Sequence, residues 1–70
     1  MPWNMEDYPS SLKNFDKVIR KKAIEIANAL LDEGYSESRA IAIGTEKAKE
    51  WHENAGNEEI EHFRKYGKTT

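Results

Sequence analysis

Leu30-Leu31-Asp32-Glu33-Gly34-Tyr35-Ser36-Glu37 sets a helix stop and a helix start back to back. Glycine suits the left-handed residue that closes a helix, so Gly34 reads as the stop, and Tyr35 falls where such a cap places its apolar contact back onto Leu30. Ser36 then suits the N-cap of a following helix, because its hydroxyl can accept from an orphan backbone amide, with Glu37 favourable in the first turn. Two helices joined with almost no loop predict an antiparallel hairpin. The stretch decides architecture; it carries no chemistry.

On the N-terminal side, Phe15, Val18, Ile19, Ala23, Ile26, Ala27, Leu30 and Leu31 recur at three- and four-residue steps, which predicts a helix from about Asp16, its N-cap, to Glu33. Ile24 falls off that stripe and is expected to meet the N-terminal aromatics. Residues 1–14 read as an irregular arm punctuated by Pro2 and Pro9, with Ser10 or Ser11 placed to cap a single turn through Leu12. On the C-terminal side, Ala40, Ile41, Gly44, Ala48 and Trp51 share one face of a second helix running from about Glu37 to Asn54, with Ile43 beside it. Gly44 costs roughly 1 kcal/mol of helix propensity relative to alanine. Among Ala40 and Ala48 it would let two backbones approach closely; the alternative is a break at Gly44-Thr45. Ala55-Gly56-Asn57 repeats the stop–start pattern, and Ile60, Phe63 and Tyr66 predict a short third helix ended by Gly67.

No run alternates apolar and polar residues, so no strand is predicted. The expectation is an all-α, three-helix domain over residues 1–67: an antiparallel helical hairpin with an N-terminal arm and a short third helix, followed by a frayed tail at 68–70. Trp3 and Trp51 are expected to be substantially buried where the arm and third helix close over the hairpin.

Seventy residues make one small domain with a modest core. There is no cysteine, which excludes a disulfide framework and thiolate chemistry. The opening residues lack the basic and apolar regions of a signal peptide, and no apolar run approaches the ~20 residues that span a bilayer. A cytoplasmic protein without membrane partners is expected.

A formal net charge of −2 argues against a nucleic-acid binder, which needs surplus cations to neutralise phosphates. The cations are nevertheless clustered. Lys17, Arg20, Lys21 and Lys22 crowd the start of the first helix while Asp32 and Glu33 sit at its end, both against the helix macrodipole. In an antiparallel hairpin Glu46, Glu50 and Glu53 would lie near that basic turn and pair with it. A partner would be the other compensation, so Lys17, Arg20, Lys21 and Lys22, with Arg39, Trp3 and Trp51, form the candidate partner-binding set.

Catalysis requires a reactive group held in a dry pocket by oriented partners. Ser10, Ser11, Ser36 and Ser38 read as caps or surface residues, and no glycine-rich phosphate cradle is present. Glu59 and His62 have the i, i+3 spacing of carboxylate-bridged metal sites in helix bundles, with Glu58 adjacent and His52 upstream, but such sites need that pair twice. The reading is non-enzymatic, without cofactor or metal. A helix-turn-helix around Gly34 would let Arg39 reach a base edge, yet both helices are too long and Glu33 stands where that motif is apolar. A ubiquitin-associated-type hairpin shares Gly34-Tyr35 and Ala40 but not the second loop that would put Trp51 on a third helix.

Met1-Pro2-Trp3, Tyr8-Pro9-Ser10-Ser11-Leu12-Lys13-Asn14, Lys22-Ala23-Ile24-Glu25-Ile26-Ala27-Asn28-Ala29-Leu30, Glu33-Gly34-Tyr35 and Arg39-Ala40-Ile41 through Trp51 together resemble a family of short, uncharacterised bacillus-type bacterial proteins. Some of these, the YdaT-like ones, are described as general stress proteins. The likeness covers about residues 1–55, with Gly44 departing from an alanine in the family pattern, which bears on the straightness of the second helix. The Pro-Ser-Ser-Leu-Lys-Asn opener is more weakly similar to small helical proteins of the ChaB type. The resemblance implies a bacterial accessory protein in a stress setting; no family active site comes with it. The expected function is therefore a binding or accessory module for a protein partner, with a nucleic-acid-binding helical domain using the Lys17–Lys22 turn as the alternative. A monomer is expected ahead of a homodimer, the dimer being the outcome if Ile24 or Ile43 stays uncovered.

Overall fold

A computed structural model describes residues 3–67; the tail expected at 68–70, like Met1 and Pro2, lies outside the described residues. A single 3-10 turn, Ser10–Leu12, precedes three helices: α1 (Lys17–Asp32), α2 (Glu37–Asn54) and α3 (Asn57–Tyr66). The described residues are all-α, as the apolar periodicity requires.

The junction between α1 and α2 forms as its residues dictate. Gly34 sits at φ 102°, the one positive φ among the described residues. Its N–H donates to Leu31 O at 3.0 Å and that of Tyr35 to Leu30 O at 3.1 Å, the paired bonds of a glycine-terminated helix. Two residues on, Ser36 caps α2 by accepting from the Arg39 N–H at 3.3 Å. A Cβ built on Gly34 would meet nothing within 4 Å, so the requirement for glycine is conformational, not steric. Gly34→Ala should therefore cost about 1–2 kcal/mol, the left-handed penalty of a residue with a Cβ. For a domain of this size that is a fall in Tm of at least 4 °C or so by calorimetry. An unchanged Tm would contradict the assignment.

α2 runs unbroken through Gly44. Thr45 Oγ1 donates to Ile41 O at 2.7 Å, a bond within the helix, and does not cap a separate one. Gly44 is buried against α1: a Cβ there would lie 3.0 Å from Ala23 O and 3.1 Å from Ala27 N, both backbone atoms. Further along, Trp51 of α2 lies beside Lys22 of α1, so the two helices run antiparallel from the Gly34 turn. Ala23, Ala27, Ala40, Gly44 and Ala48 form the small-residue seam on which they meet.

The buried arc of α1 is wider than the sequence pattern. Val18, Ala23, Ile24, Ala27 and Asn28 are buried, whereas Phe15, Ile19, Ile26, Leu30 and Leu31 of the predicted stripe are only partly covered. The arm accounts for the difference. It packs Trp3, Met5, Tyr8 and Phe15 against a cluster of Leu12, Ala23, Ile24 and Ala48, so that Ile24 becomes fully buried. Ile24 thus meets the N-terminal aromatics as expected and is removed from any dimer surface; Ile43 remains half-buried. Neither Trp3 nor Trp51 is fully buried: both rings are partly covered, less than expected.

Several local expectations need correction. Asp16 occupies the N-cap position of α1 but its side chain makes no capping bond. Pro9, not Ser10 or Ser11, precedes the 3-10 turn, again without a side-chain cap. Gly56 does not repeat the Gly34 device: it sits at φ −75°, an ordinary extended conformation leading into α3. With no left-handed residue there, the chain turns through Ala55 and Gly56 in β-like backbone.

Candidate functional site

The basic turn at the start of α1 is largely spent inside the molecule. Arg20 reaches back over the arm, donating from Nε to Leu12 O at 3.2 Å and from Nη2 to Lys13 O at 3.3 Å and Phe15 O at 3.1 Å. Its guanidinium also stands 4.9 Å from the Tyr8 ring centre. One planar fork thereby holds three carbonyls of the segment leading into α1, of which Leu12 O also accepts from the Phe15 N–H, and fastens the arm by a cation–π contact. Lys21 Nζ donates to Phe63 O at 3.2 Å and Arg64 O at 2.9 Å. Those carbonyls belong to the last turn of α3, where a cation complements the helix macrodipole. The cation that is misplaced on its own helix is well placed on its neighbour. Lys22 Nζ pairs with Glu25 at 2.9 Å and lies over the rings of Phe63 and Trp51, at 4.8 Å and 5.1 Å.

The expected pairing of this turn with Glu46, Glu50 and Glu53 does not form. The two ion pairs among the described residues are Lys22–Glu25 and Arg64–Glu61, each within one helix. The arm and α3 occupy the space around the basic turn, and main-chain carbonyls and aromatic faces take the cations instead. The hydrogen bond and charge of Arg64 hold the exposed Glu61 carboxyl below its usual range, so that Arg is engaged too. Of the predicted cations, Lys17 is exposed beside a shallow depression shared with Met5, Val18, Lys21 and Arg64. Arg39 is exposed at the far end of the hairpin, 5.7 Å from the Tyr35 ring centre. The candidate set is thus not one surface: Trp3 belongs to the arm and is seated on α1 at Asn28, Lys21, Lys22 and Trp51 gather at the open end of the hairpin, and Arg39 lies at the closed end.

What does assemble is an aromatic face where α3 crosses that open end. Phe63 is buried and meets Trp51 edge-on at 5.1 Å between centres. Trp51 Nε1 donates to Glu59 Oε2 at 3.0 Å, which fixes the indole. Tyr66 is 70% exposed and leans on His62, ring centres 5.0 Å apart. Lys22, Trp51, Glu59, His62, Phe63, Tyr66 and Gly67 line a depression of about 230 Å³ there. Glu59 and His62, considered as metal ligands, are engaged with Trp51 and Tyr66, and among the described residues no three acidic or histidine side chains converge. Periodicity placed Trp51 but gave no reason to single out Tyr66; its position in the last turn of a short amphipathic helix was the available signal.

A small all-α hairpin, strapped by an N-terminal arm and carrying an aromatic face at its open end, is the class these features define. Over 63 residues, 90% of the chain, it is 67% identical to the uncharacterised protein YdaT of Bacillus subtilis (strain 168). The chain is thus a YdaT-like, bacillus-type sequence, as the quoted segments indicated. It spans 42% of that relative's length. No family model and no solved structure matches the chain. Among the described residues no helix is long and apolar enough to cross a membrane.

Proposed function

We propose that this chain is a binding or accessory module, not an enzyme, working through protein contacts at the Trp51–Tyr66 face in a bacterial stress-related setting. The stress setting rests on the resemblance alone. The contact reading rests on one observation: Tyr66, 70% exposed, stands beside a half-covered, hydrogen-bonded Trp51 over a small depression. Tyr and Trp are the residues that most often anchor protein interfaces, offering large rigid area at low entropic cost. The nucleic-acid alternative loses ground because Arg20, Lys21 and Lys22 already hold carbonyls, a carboxylate and aromatic faces.

Capture of partners from the native cell, compared between the natural chain and Tyr66→Ala, tests the reading. Tyr66 supports little of the fold, so Tm should stay within the change expected of about 0.5 kcal/mol. The captured partner should weaken by tenfold or more, as for an interface anchor. Equal capture by both chains would remove the face from the function. DNA affinity that falls steeply with salt and weakens on Lys17→Glu would favour the alternative instead.

A further inference from the structure

Asn28 is the one buried polar side chain among the described residues, 1% exposed in the C-terminal half of α1. Its Oδ1 accepts from the Trp3 N–H at 3.3 Å, and its Nδ2 donates to the Trp3 carbonyl at 2.9 Å. A carboxamide has the donor and acceptor of a peptide group, so these two bonds reproduce a strand pairing with a single side chain. They recognise main chain, whatever the sequence of the segment that supplies it. Around this reader the floor is apolar: Leu12, Ala23, Ile24 and Ala48 receive Trp3, Met5 and Tyr8. Among its described residues, the arm ahead of the Ser10–Leu12 turn contains no helix. Its internal ties are the Asn4–Asp7 backbone pair and the Asn4 side chain, which accepts from the Glu6 and Asp7 amides. All of these move with the arm if it leaves.

We infer that the groove at Asn28 is a receptor for an extended, aromatic-anchored peptide, occupied in the closed chain by its own arm, and that its second occupant is the arm of another copy. The match is given by the seated segment itself: an identical arm brings the same backbone to Asn28 and the same Trp3, Met5 and Tyr8 to the floor. Arg20 ties the chain at Leu12, Lys13 and Phe15, so Pro9 marks the point up to which the arm can swing free. Arm exchange between copies is a low-cost route to a dimer, since each contact is kept and only its owner changes. A short tether gives the chain's own arm an effective concentration in the millimolar range. The closed monomer therefore dominates until chains reach comparable concentrations or the arm is weakened.

An N-acetylated, fluorescently labelled peptide of residues 3–9, titrated into the full chain, reads the groove directly. Trp3→Ala in the full chain weakens its own arm but leaves Asn28 and the floor intact, so the peptide should bind at least tenfold tighter than to the natural chain. Adding Asn28→Leu to that chain should abolish binding. Met5→Ala serves as a second weakened arm, and circular dichroism confirms that each variant is folded. In sedimentation, the natural chain at millimolar concentration should show a dimer that added peptide dissociates. No peptide binding to either weakened chain, or binding indifferent to Asn28→Leu, would overturn the receptor. Peptide binding with a strictly monomeric chain at that concentration would overturn the second copy as its occupant.

Discussion

Gly44→Val is expected to destabilise the domain by about 3 kcal/mol, the upper range for forcing extra methyl groups into a packed interior. The first added carbon already lands 3.0 Å from Ala23 O, 3.1 Å from Ala27 N and 3.3 Å from Ala27 Cβ. Two of those neighbours are helix backbone, which cannot rotate aside as a flexible side chain would. The two γ-methyl groups of valine would have to part α1 from α2 along the Ala23–Ala27 seam. By the usual scaling for small domains the fall in Tm is roughly 12–24 °C. Gly44→Ala separates this steric effect from helix propensity. It removes the roughly 1 kcal/mol disadvantage of glycine but requires α1 to give by a few tenths of an ångström, so its stability should lie within about 1 kcal/mol of the natural chain. Thermal unfolding of the pair provides the check. Comparable Tm values for valine and alanine would mean that the helices are not in backbone contact at this position.

The hairpin was legible because its signals are local. Gly34, Tyr35 and Ser36 close one helix and open the next through bonds that span at most five residues, and Ala40, Gly44 and Ala48 recur at the helical step. The arm was legible only in part. Its aromatics announced that something would be covered, and Ile24, off the main stripe, was their floor. Asn28 carried no such signal, since an asparagine one helical turn beyond Ile24 reads as a boundary residue until a backbone partner 25 residues away is placed on it. The candidate site fared less well for the same reason. Within the Lys17–Lys22 patch, Arg20 and Lys21 read as awaiting a partner because their actual partners are carbonyls, which no side-chain pattern reveals. Lys21 shows the point: its acceptors lie more than forty residues away, on the last turn of a helix whose placement depends on how the chain turns at Gly56.

The same long-range pairing makes Asn28→Leu the second large effect. Leucine keeps the branched four-heavy-atom shape of asparagine with larger end groups, so no cavity opens and the contact with the apolar floor survives. What is lost is both hydrogen bonds to Trp3, leaving its N–H and carbonyl against an apolar side chain in a partly buried setting. An unmade bond of this kind costs the desolvation of the stranded group, roughly 1–3 kcal/mol, and here two groups on one residue are affected. The arm can limit the loss by peeling away and hydrating Trp3, which then uncovers Ile24 and Leu12. Either route predicts about 2–3 kcal/mol of destabilisation. The two routes differ in their spectra. In a Trp51→Phe background the remaining emission reports Trp3 alone, and peeling would shift it towards that of hydrated indole in the folded chain. A chain that stays clipped would keep its emission and simply unfold at lower denaturant. Full stability together with unchanged Trp3 emission would show that the arm is held by its aromatics without Asn28.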